Sequence, residues 1–286
     1  MELSVIRIHK VGAASGQPWL NTRPVVHPDK YLSQCPFILL NEETYEPQVD
    51  FPVQSRKGVM AVTLVLDGSA YQTDDAGARW LLGQGDAAFS ISSGGILQGT
   101  ANVSGVQLLH LWVNLPGTLR TTSARHQVVR RAEASRATIG NASALLYAGA
   151  LDTASGPHTG AWPLTVADLS LQAGQTTTLA LASNERSFVY VVRGHVALGR
   201  NQVNLGRDSI AWIERTVGPA DVNSLTARAA AEDTRLLLFS SPVFGENASL
   251  GKSCDPEVAD SLAGIARAPL RQVADTANIT TPEART

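Results

Sequence analysis

The sequence has few of the features that mark secreted, membrane-spanning or thiol-dependent proteins. It contains only two cysteines, Cys35 and Cys254, and their wide separation indicates neither a disulfide framework nor a thiolate metal site. No apolar run approaches the roughly 20 residues that a membrane-spanning helix needs. The N-terminal segment also lacks the apolar core of a signal peptide. These absences predict a cytoplasmic protein.

Neither sign of charge is in excess, since 23 basic residues face 25 acidic ones and the formal net charge is −2. Nucleic-acid binding usually shows as clustered Lys and Arg, and attachment to an anionic membrane needs a polybasic tract. The sequence therefore predicts no direct nucleic-acid binding and no membrane attachment. Glycine-rich phosphate loops, nucleophile elbows and the zinc-protease helix motif are absent as well.

One local exception is the basic segment from Arg120 to Arg136, which includes Arg125, His126, Arg130 and Arg131. One interpretation is an anion or phosphate patch. The alternative is a solvated linker whose basic residues pair with nearby acids, and the charge pattern alone favours this linker.

Short apolar runs separated by turn residues dominate the rest of the chain. Val59 to Leu66 is almost entirely apolar and ends at Asp67-Gly68, which indicates a buried strand followed by a hairpin turn. Further turn residues follow at Gly83 to Asp86 and at Ser93 to Gly95. Strands this short and this closely spaced predict an antiparallel barrel.

The second half of the chain repeats this pattern. Phe188 to Gly194 mirrors Val62 to Gly68, because each is an apolar strand that ends at a charged residue and a glycine. This similarity predicts an internal duplication, with one domain over residues 1–135 and a second over residues 136–286. Pro256 to Ala268 is predicted to form a short C-terminal helix with Asp255 as its N-terminal cap.

Several short motifs in the first half resemble the N-terminal signature of the pirin family, whose members are two-barrel proteins of the cupin superfamily. These motifs are Phe51-Pro52, Lys57-Gly58, Val62-Thr63, Leu66-Asp67-Gly68, Gly85-Asp86, Gly94-Gly95-Ile96 and the segment from Leu111 to Pro116. The resemblance implies an all-β fold of two stacked cupin (jelly-roll-like) β-barrels, a bicupin. It also implies a monomer, as pirins often are.

The chain departs from the pirin pattern at the metal site that this resemblance implies. Pirins hold one metal, usually iron, with three histidines and a glutamate, and the matching positions here are Gln54, Arg56, Gln98 and Thr100. Amide and hydroxyl oxygens are weak ligands for such a metal, and a guanidinium stays protonated and cannot donate a lone pair. We therefore expect a metal-free N-terminal barrel and no cofactor.

Strand alternation places Gln54, Arg56 and Met60 on one face, which in a cupin looks into the barrel, with Gln98 and Thr100 opposite. Two interpretations of Arg56 remain open. It turns outward or pairs with an acid (Asp74, Asp75 or Glu43) in a closed cavity, or it binds a carboxylate, enolate or phenolate of a small molecule.

His110 lies within an apolar strand, where pirins commonly carry glutamine. A lone histidine in such a strand is more often a hydrogen-bonded core residue than a functional one. If it shares the cavity with Arg56, it becomes a candidate general acid or base whose pKa the neighbouring cation lowers. The predicted ligand-binding residues are therefore Gln54, Arg56, Met60, Gln98, Thr100 and His110, with Arg56 and His110 as the candidate catalytic pair.

Three functions follow from these residues. The first is a binding or regulatory protein that holds a small, anionic or phenolic molecule, with a protein partner as a further candidate. The second is a metal-independent lyase, isomerase or cyclase that uses Arg56 and His110. The third and least favoured is a quercetinase-like dioxygenase, because pirins are associated with quercetin 2,3-dioxygenase activity but its metal chemistry needs the replaced ligands.

Overall fold

The computed structural model describes residues 1–47, 54–73, 77–119, 123, 125–157, 160, 162–216 and 222–244. Within these ranges the side chains of residues 17, 54–58 and 92–103 are not described. The predicted C-terminal helix, Pro256 to Ala268, lies outside the described residues, and so do Asp74 and Asp75.

Strands make up most of the first half. They are β1 (Val5–Lys10), β2 (Ser15–Gln17), β3 (Leu20–Val26), β4 (Phe37–Tyr45), β5 (Gln54–Thr73), β6 (Arg79–Gly83), β7 (Ala87–Asn114) and β8 (Arg125–Val129). A single turn of α-helix, α1 (Tyr31–Gln34), connects β3 to β4. Short 3-10 turns lie at Pro28–Lys30 and Gly117–Leu119.

The second half is also built from strands. They are β9 (Ser135–Ile139), β10 (Ala142–Ala148), β11 (Ala150–Leu151), β12 (Ala154–Ser155), β13 (Thr165–Leu171), β14 (Thr176–Ala182), β15 (Glu185–Arg193), β16 (His195–Leu198), β17 (Val203–Gly206), β18 (Ser209–Ile213), β19 (Val222–Ala229) and β20 (Thr234–Pro242).

The strands form two large sheets and two smaller ones. The N-terminal sheet has the order β2-β3-β4-β7-β5-β6, with β8 paired to β7. The large C-terminal sheet has the order β1-β18-β15-β20-β13-β10-β9, and the small C-terminal sheet has the order β14-β19-β16-β17. A two-stranded ribbon joins β11 and β12. The first strand of the chain thus lies at the edge of the large C-terminal sheet.

The centre of the N-terminal sheet is the apolar segment of β5 that the sequence indicated as a buried strand. Val59 pairs with both Ser92 and Asn114, and Met60 pairs with both Ile91 and Val113. Among the paired residues, the numbers on β5 increase while those on β7 decrease, so the two strands run antiparallel. This segment is therefore covered along both edges by β7, which explains why it is apolar throughout.

The two large sheets pack face to face and share one hydrophobic core. The aromatic rings of Phe37 on β4 and Phe188 on β15 meet edge to face, with centroids 4.9 Å apart. Other members of this core come from both sheets, namely Met60, Val62, Leu64, Phe89, Leu111, Tyr190, Trp212, Leu237 and Phe239. A second core lies between the large and small C-terminal sheets and includes Leu169, Leu179, Val189, Leu225 and Leu238.

A polar cluster bridges the two halves beside the shared core. Glu42, which is buried, accepts hydrogen bonds from Arg23 at 3.1 Å and from Gln107 at 2.8 Å. The hydroxyl of Tyr190 on β15 also donates to Glu42. Arg23 bonds to Asp208 of the C-terminal half at 3.0 Å, so a single arginine joins carboxylates of both halves.

The all-β class is confirmed, with α1 the one α-helix among the described residues. The sheets, however, are not closed barrels. Cys35 is disulfide-bonded, which the cysteine spacing did not indicate. No helix in the described part of the chain is long and apolar enough to cross a membrane.

Replacing Glu42 with glutamine tests how strongly the bridging cluster stabilises the fold. Glu42→Gln keeps the side-chain shape but removes the charge that Arg23 and Tyr190 bond to. Because hydrogen bonds to buried charged groups are the strong ones, we expect a loss of about 2–3 kcal/mol in the free energy of unfolding. Urea unfolding followed by tryptophan fluorescence measures this loss.

The matched control is Glu232→Gln. Glu232 also pairs with a side chain, His195, but the pair is largely exposed, with side-chain exposures of 53% and 64%. Exposed pairs contribute little, so we expect a change of about 0.5 kcal/mol or less. Equal effects of the two substitutions would show that the bridging cluster does not hold the halves together.

Candidate functional site

The candidate site lies on the face of the N-terminal sheet that points away from the shared core. Alternation along β4 places Asn41, Glu43 and Tyr45 on this face and Glu42 on the opposite one. In the strand register Asn41 is opposite His110 on β7, and His110 is opposite Thr63 on β5. Three neighbouring strands thus present polar side chains to the same interior.

Glu43 and His110 form the centre of this cluster. His110 Nδ1 lies 3.6 Å from Glu43 Oε2, and the two side chains are only 8% and 6% exposed. Tyr45 donates its hydroxyl proton to Glu43 Oε2 at 2.8 Å, and the Asn41 amide donates to Glu43 Oε1 at 3.4 Å. The carboxylate therefore has partners on both of its oxygens.

The environment of Glu43 favours its charged form. Burial alone would raise the pKa of this carboxyl, but the hydrogen bond and charge attraction of His110 oppose that effect. The hydrogen bonds from Tyr45 and Asn41 act in the same direction, and the pKa of Glu43 lies below its ordinary value. A carboxylate held in this way orients the imidazole.

A second polar pair lies on the same face. Gln72 donates to the hydroxyl of Thr63 at 2.8 Å, and both side chains are buried. Because His110 is the cross-strand neighbour of Thr63, the two pairs lie side by side within the sheet. Buried polar groups cost free energy unless they are hydrogen-bonded, and these are.

The structure corrects the predicted position of Met60. Its side chain is fully buried in the core between the two large sheets, among residues such as Val62 and Phe188. His110 pairs with Thr63, which lies three residues along β5 from Met60 and therefore on the other face. Met60 does not line the same interior as His110.

The other predicted ligand-binding residues have side chains outside the described part of the structure. The backbone of Gln54 pairs with that of Leu97, while Gln98 pairs with Thr73 and Thr100 with Tyr71. The roles of Gln54, Arg56, Gln98 and Thr100 therefore stay predictions.

The sequence alone does not identify the partners of His110. It gives Glu43 only as a candidate partner for Arg56 and does not single out Asn41 or Tyr45. The signal was present in the alternation of Asn41, Glu43 and Tyr45 along a strand that follows the apolar run from Phe37 to Leu40. What the sequence could not give is the register that puts this strand beside His110.

The described residues do not supply the donors of the metal site that the resemblance to pirins implies. Among the described residues there is no group of three or more His, Cys, Asp or Glu side chains that could hold a metal ion. His110 and Glu43 are two such donors, but Glu43 already bonds to His110, Tyr45 and Asn41. The four positions that the resemblance predicts to match the pirin ligands carry two amides, a guanidinium and a hydroxyl.

Sequence comparison finds relatives over most of the chain. The chain is 25% identical to Pirin-1 of Arabidopsis thaliana over 232 residues, which cover 80% of this chain and 79% of Pirin-1. It is 31% identical over 182 residues to a quercetin 2,3-dioxygenase-like protein of Pseudomonas aeruginosa, covering 57% and 63% of the two chains. No family model matches the chain.

Solved structures share the fold. GK1651 from Geobacillus kaustophilus superposes with a TM-score of 0.80 and 23% identity, covering 85% of this chain and 97% of GK1651. The bacterial pirin YhhW from Escherichia coli, solved with nickel(II), superposes with a TM-score of 0.65 and 18% identity, covering 83% and 100% of the two chains.

The all-β fold of two packed halves is shared with GK1651 and with the bacterial pirin YhhW. The sequence and fold comparisons confirm the predicted resemblance of this chain to pirins.

The lowered pKa of Glu43 predicts how acid affects stability. A carboxyl whose pKa is depressed by folding stabilises the folded state above its unfolded pKa, here near 4.5, and this contribution is lost as the pH falls below that value. Urea unfolding midpoints should therefore fall more steeply below about pH 4.5 in the natural protein than in Glu43→Gln. Identical slopes for the two proteins would contradict the described environment of Glu43.

Proposed function

We propose that this pirin-like protein binds a small anionic or phenolic molecule inside its N-terminal half, without a metal, in a binding or regulatory role. The observation that carries this proposal is the buried Glu43–His110 pair with its hydroxyl and amide neighbours. Buried ion pairs are often no more stabilising than apolar residues of similar size, so their presence needs another explanation. Recognition of a polar ligand supplies one.

The chemistry of the pair suits a phenolic ligand. A phenol can donate to or accept from an imidazole, and Glu43 keeps the ring of His110 in one orientation. In this proposal Arg56 supplies the positive charge that a carboxylate or phenolate needs. The aromatic ring of the ligand would then pack against apolar side chains, which line most small-molecule sites.

The second candidate is a metal-independent lyase, isomerase or cyclase. A carboxylate that orients a histidine is the arrangement used for general acid–base catalysis, and the Glu43–His110 contact has this form. His110 would move a proton while Arg56 stabilises negative charge on the reacting oxygen. Glu43 would act as a positioning residue through the imidazole.

The third candidate, a quercetinase-like dioxygenase, draws its support from the name of the Pseudomonas aeruginosa relative. The side chains at the four positions that match the pirin ligands argue against this function, because they are poor metal ligands. We therefore place it behind the two metal-independent functions.

Ligand binding tests the proposed site directly. Isothermal titration with 4-hydroxybenzoate and with quercetin, which are phenolic, should show saturable binding that neutral benzyl alcohol does not. His110→Ala and Arg56→Ala should each raise the dissociation constant about tenfold or more, because each removes a hydrogen bond to a charged or polar ligand group. Product analysis of the same mixtures distinguishes binding from turnover.

The control variant is His195→Ala. His195 is also paired with a glutamate, Glu232, but it lies exposed in the C-terminal half. The His195→Ala variant should bind the probes as the natural protein does. Unchanged binding in both His110→Ala and Arg56→Ala would remove the proposed site, and turnover lost in His110→Ala would favour the enzyme.

Metal analysis tests the dioxygenase alternative. Protein purified without chelator should contain far less than one equivalent of iron, copper or nickel per chain, because the ligand positions lack imidazole and carboxylate donors. The quadruple variant Gln54→His, Arg56→His, Gln98→His and Thr100→Glu restores these donors and should gain stoichiometric metal. Stoichiometric metal in the natural protein would instead revive the dioxygenase.

A further inference from the structure

A second site is indicated by a cleft on the large C-terminal sheet, away from the interior of the N-terminal half. Its volume is about 720 Å³, within the usual range for small-molecule sites. Five arginines line it against one carboxylate, Asp168. The arginines are Arg131, Arg136, Arg193, Arg207 and Arg235. We propose that this cleft binds a small phosphate-bearing molecule, with a diphosphate favoured over a monophosphate.

The strand register explains how the floor of the cleft forms. Thr138 on β9 pairs with Ser143 on β10, and Ser143 pairs with Ser170 on β13. Ser170 pairs with Arg235 on β20, which in turn pairs with Arg193 on β15. One row across five strands therefore presents hydroxyls followed by two guanidinium groups.

This row lies on the face that carries the shared core, beyond the edge of the N-terminal sheet. Leu145 and Val192 are partly buried against that core and also line the cleft. The cleft thus offers an apolar margin next to its charged floor, as a ligand with both a phosphate and an organic body needs.

The only carboxylate among the lining residues is already engaged. Asp168 is 6% exposed and binds Arg235 through both oxygens, at 3.0 Å to Nε and 2.8 Å to Nη2. Desolvation would lower the pKa of Arg235, but the hydrogen bond and charge of Asp168 raise it above its ordinary value. Asp168 therefore fixes Arg235, and Arg207 lies 3.7 Å from Asp208, which is outside the lining. The lining itself supplies no second carboxylate for Arg131, Arg136 and Arg193.

The strand register places Arg193 opposite Arg235 after a register shift. Like charges on facing residues of a sheet repel each other unless a counter-charge offsets them, and Asp168 offsets only that of Arg235. The protein as a whole has a net charge of −2, so the cleft is a local concentration of positive charge. Guanidinium groups match the geometry of phosphate oxygens and bind them in pairs. A phosphate-bearing ligand accounts for both observations.

The rim of the cleft comes from the basic segment noted in the sequence. Arg130 pairs with Asp86 at 2.8 Å, as the linker interpretation expects, but Arg131 and Arg136 line the cleft. The backbone N–H of Arg131 donates to Asp86 at 2.9 Å, and its side chain packs against Gly85. Gly85 has a φ of +81°, a backbone conformation that favours glycine, and the absence of a side chain there leaves room for Arg131.

Titration calorimetry with ADP, AMP, inorganic pyrophosphate and adenosine tests this proposal on the full chain. ADP and pyrophosphate should bind, AMP should bind more weakly, and adenosine should give no measurable heat. Raising the salt concentration should weaken the binding of each phosphate-bearing probe. Arg193→Gln and Arg136→Gln should each weaken ADP binding about tenfold or more, since each removes a charged hydrogen-bond donor. Both residues are exposed, so the variants should fold normally.

Arg228→Gln is the matched control, because Arg228 is an exposed arginine on β19 of the small C-terminal sheet, outside the cleft. It should bind ADP like the natural protein. The proposal is overturned if no phosphate-bearing probe binds, or if binding is the same in both cleft variants and the control. Tight binding of single-stranded RNA without binding of ADP would also overturn it.

Discussion

The face-to-face packing of the two large sheets is the constraint on which the rest of the structure depends. On the central strand β5, Met60, Val62 and Leu64 face the C-terminal half and are fully buried there. Since neighbouring residues of a strand point to opposite faces, this packing also dictates which residues are left for the other face. Thr63 and, across the ladder, His110 belong to that other face.

The consecutive residues Glu42 and Glu43 show how this constraint divides tasks between adjacent positions. Glu42 points toward the C-terminal half, where Arg23 and Tyr190 bind it, and contributes to holding the halves together. Glu43 points into the N-terminal half, where it binds His110 and Tyr45. A slip of one residue in the register of β4 would exchange the two roles and leave each carboxylate without its partners.

The contact between the two large sheets ends before the edge of the large C-terminal sheet. Beyond that point the residues on this face are polar or charged instead of apolar. Apolar residues such as Leu237 and Tyr190 give way, one row further, to Ser170, Arg235 and Arg193. In the described part of the N-terminal half the Glu43 carboxylate lies beside His110. In the exposed cleft the one carboxylate of the lining, Asp168, is bound to Arg235. The two regions therefore differ in the charged groups that they present.

The amino-acid sequence by itself determined the all-β class, the buried strand from Val59 to Leu66, the resemblance to pirins and the side-chain types at Gln54, Arg56, Gln98 and Thr100. Local periodicity and turn residues encode these features directly. Only the tertiary structure decided that Met60 faces the other half, that Glu43 is the partner of His110, and that Arg193 meets Arg235. These depend on strand register and on which face is covered, and both are set by pairing between residues far apart in the chain.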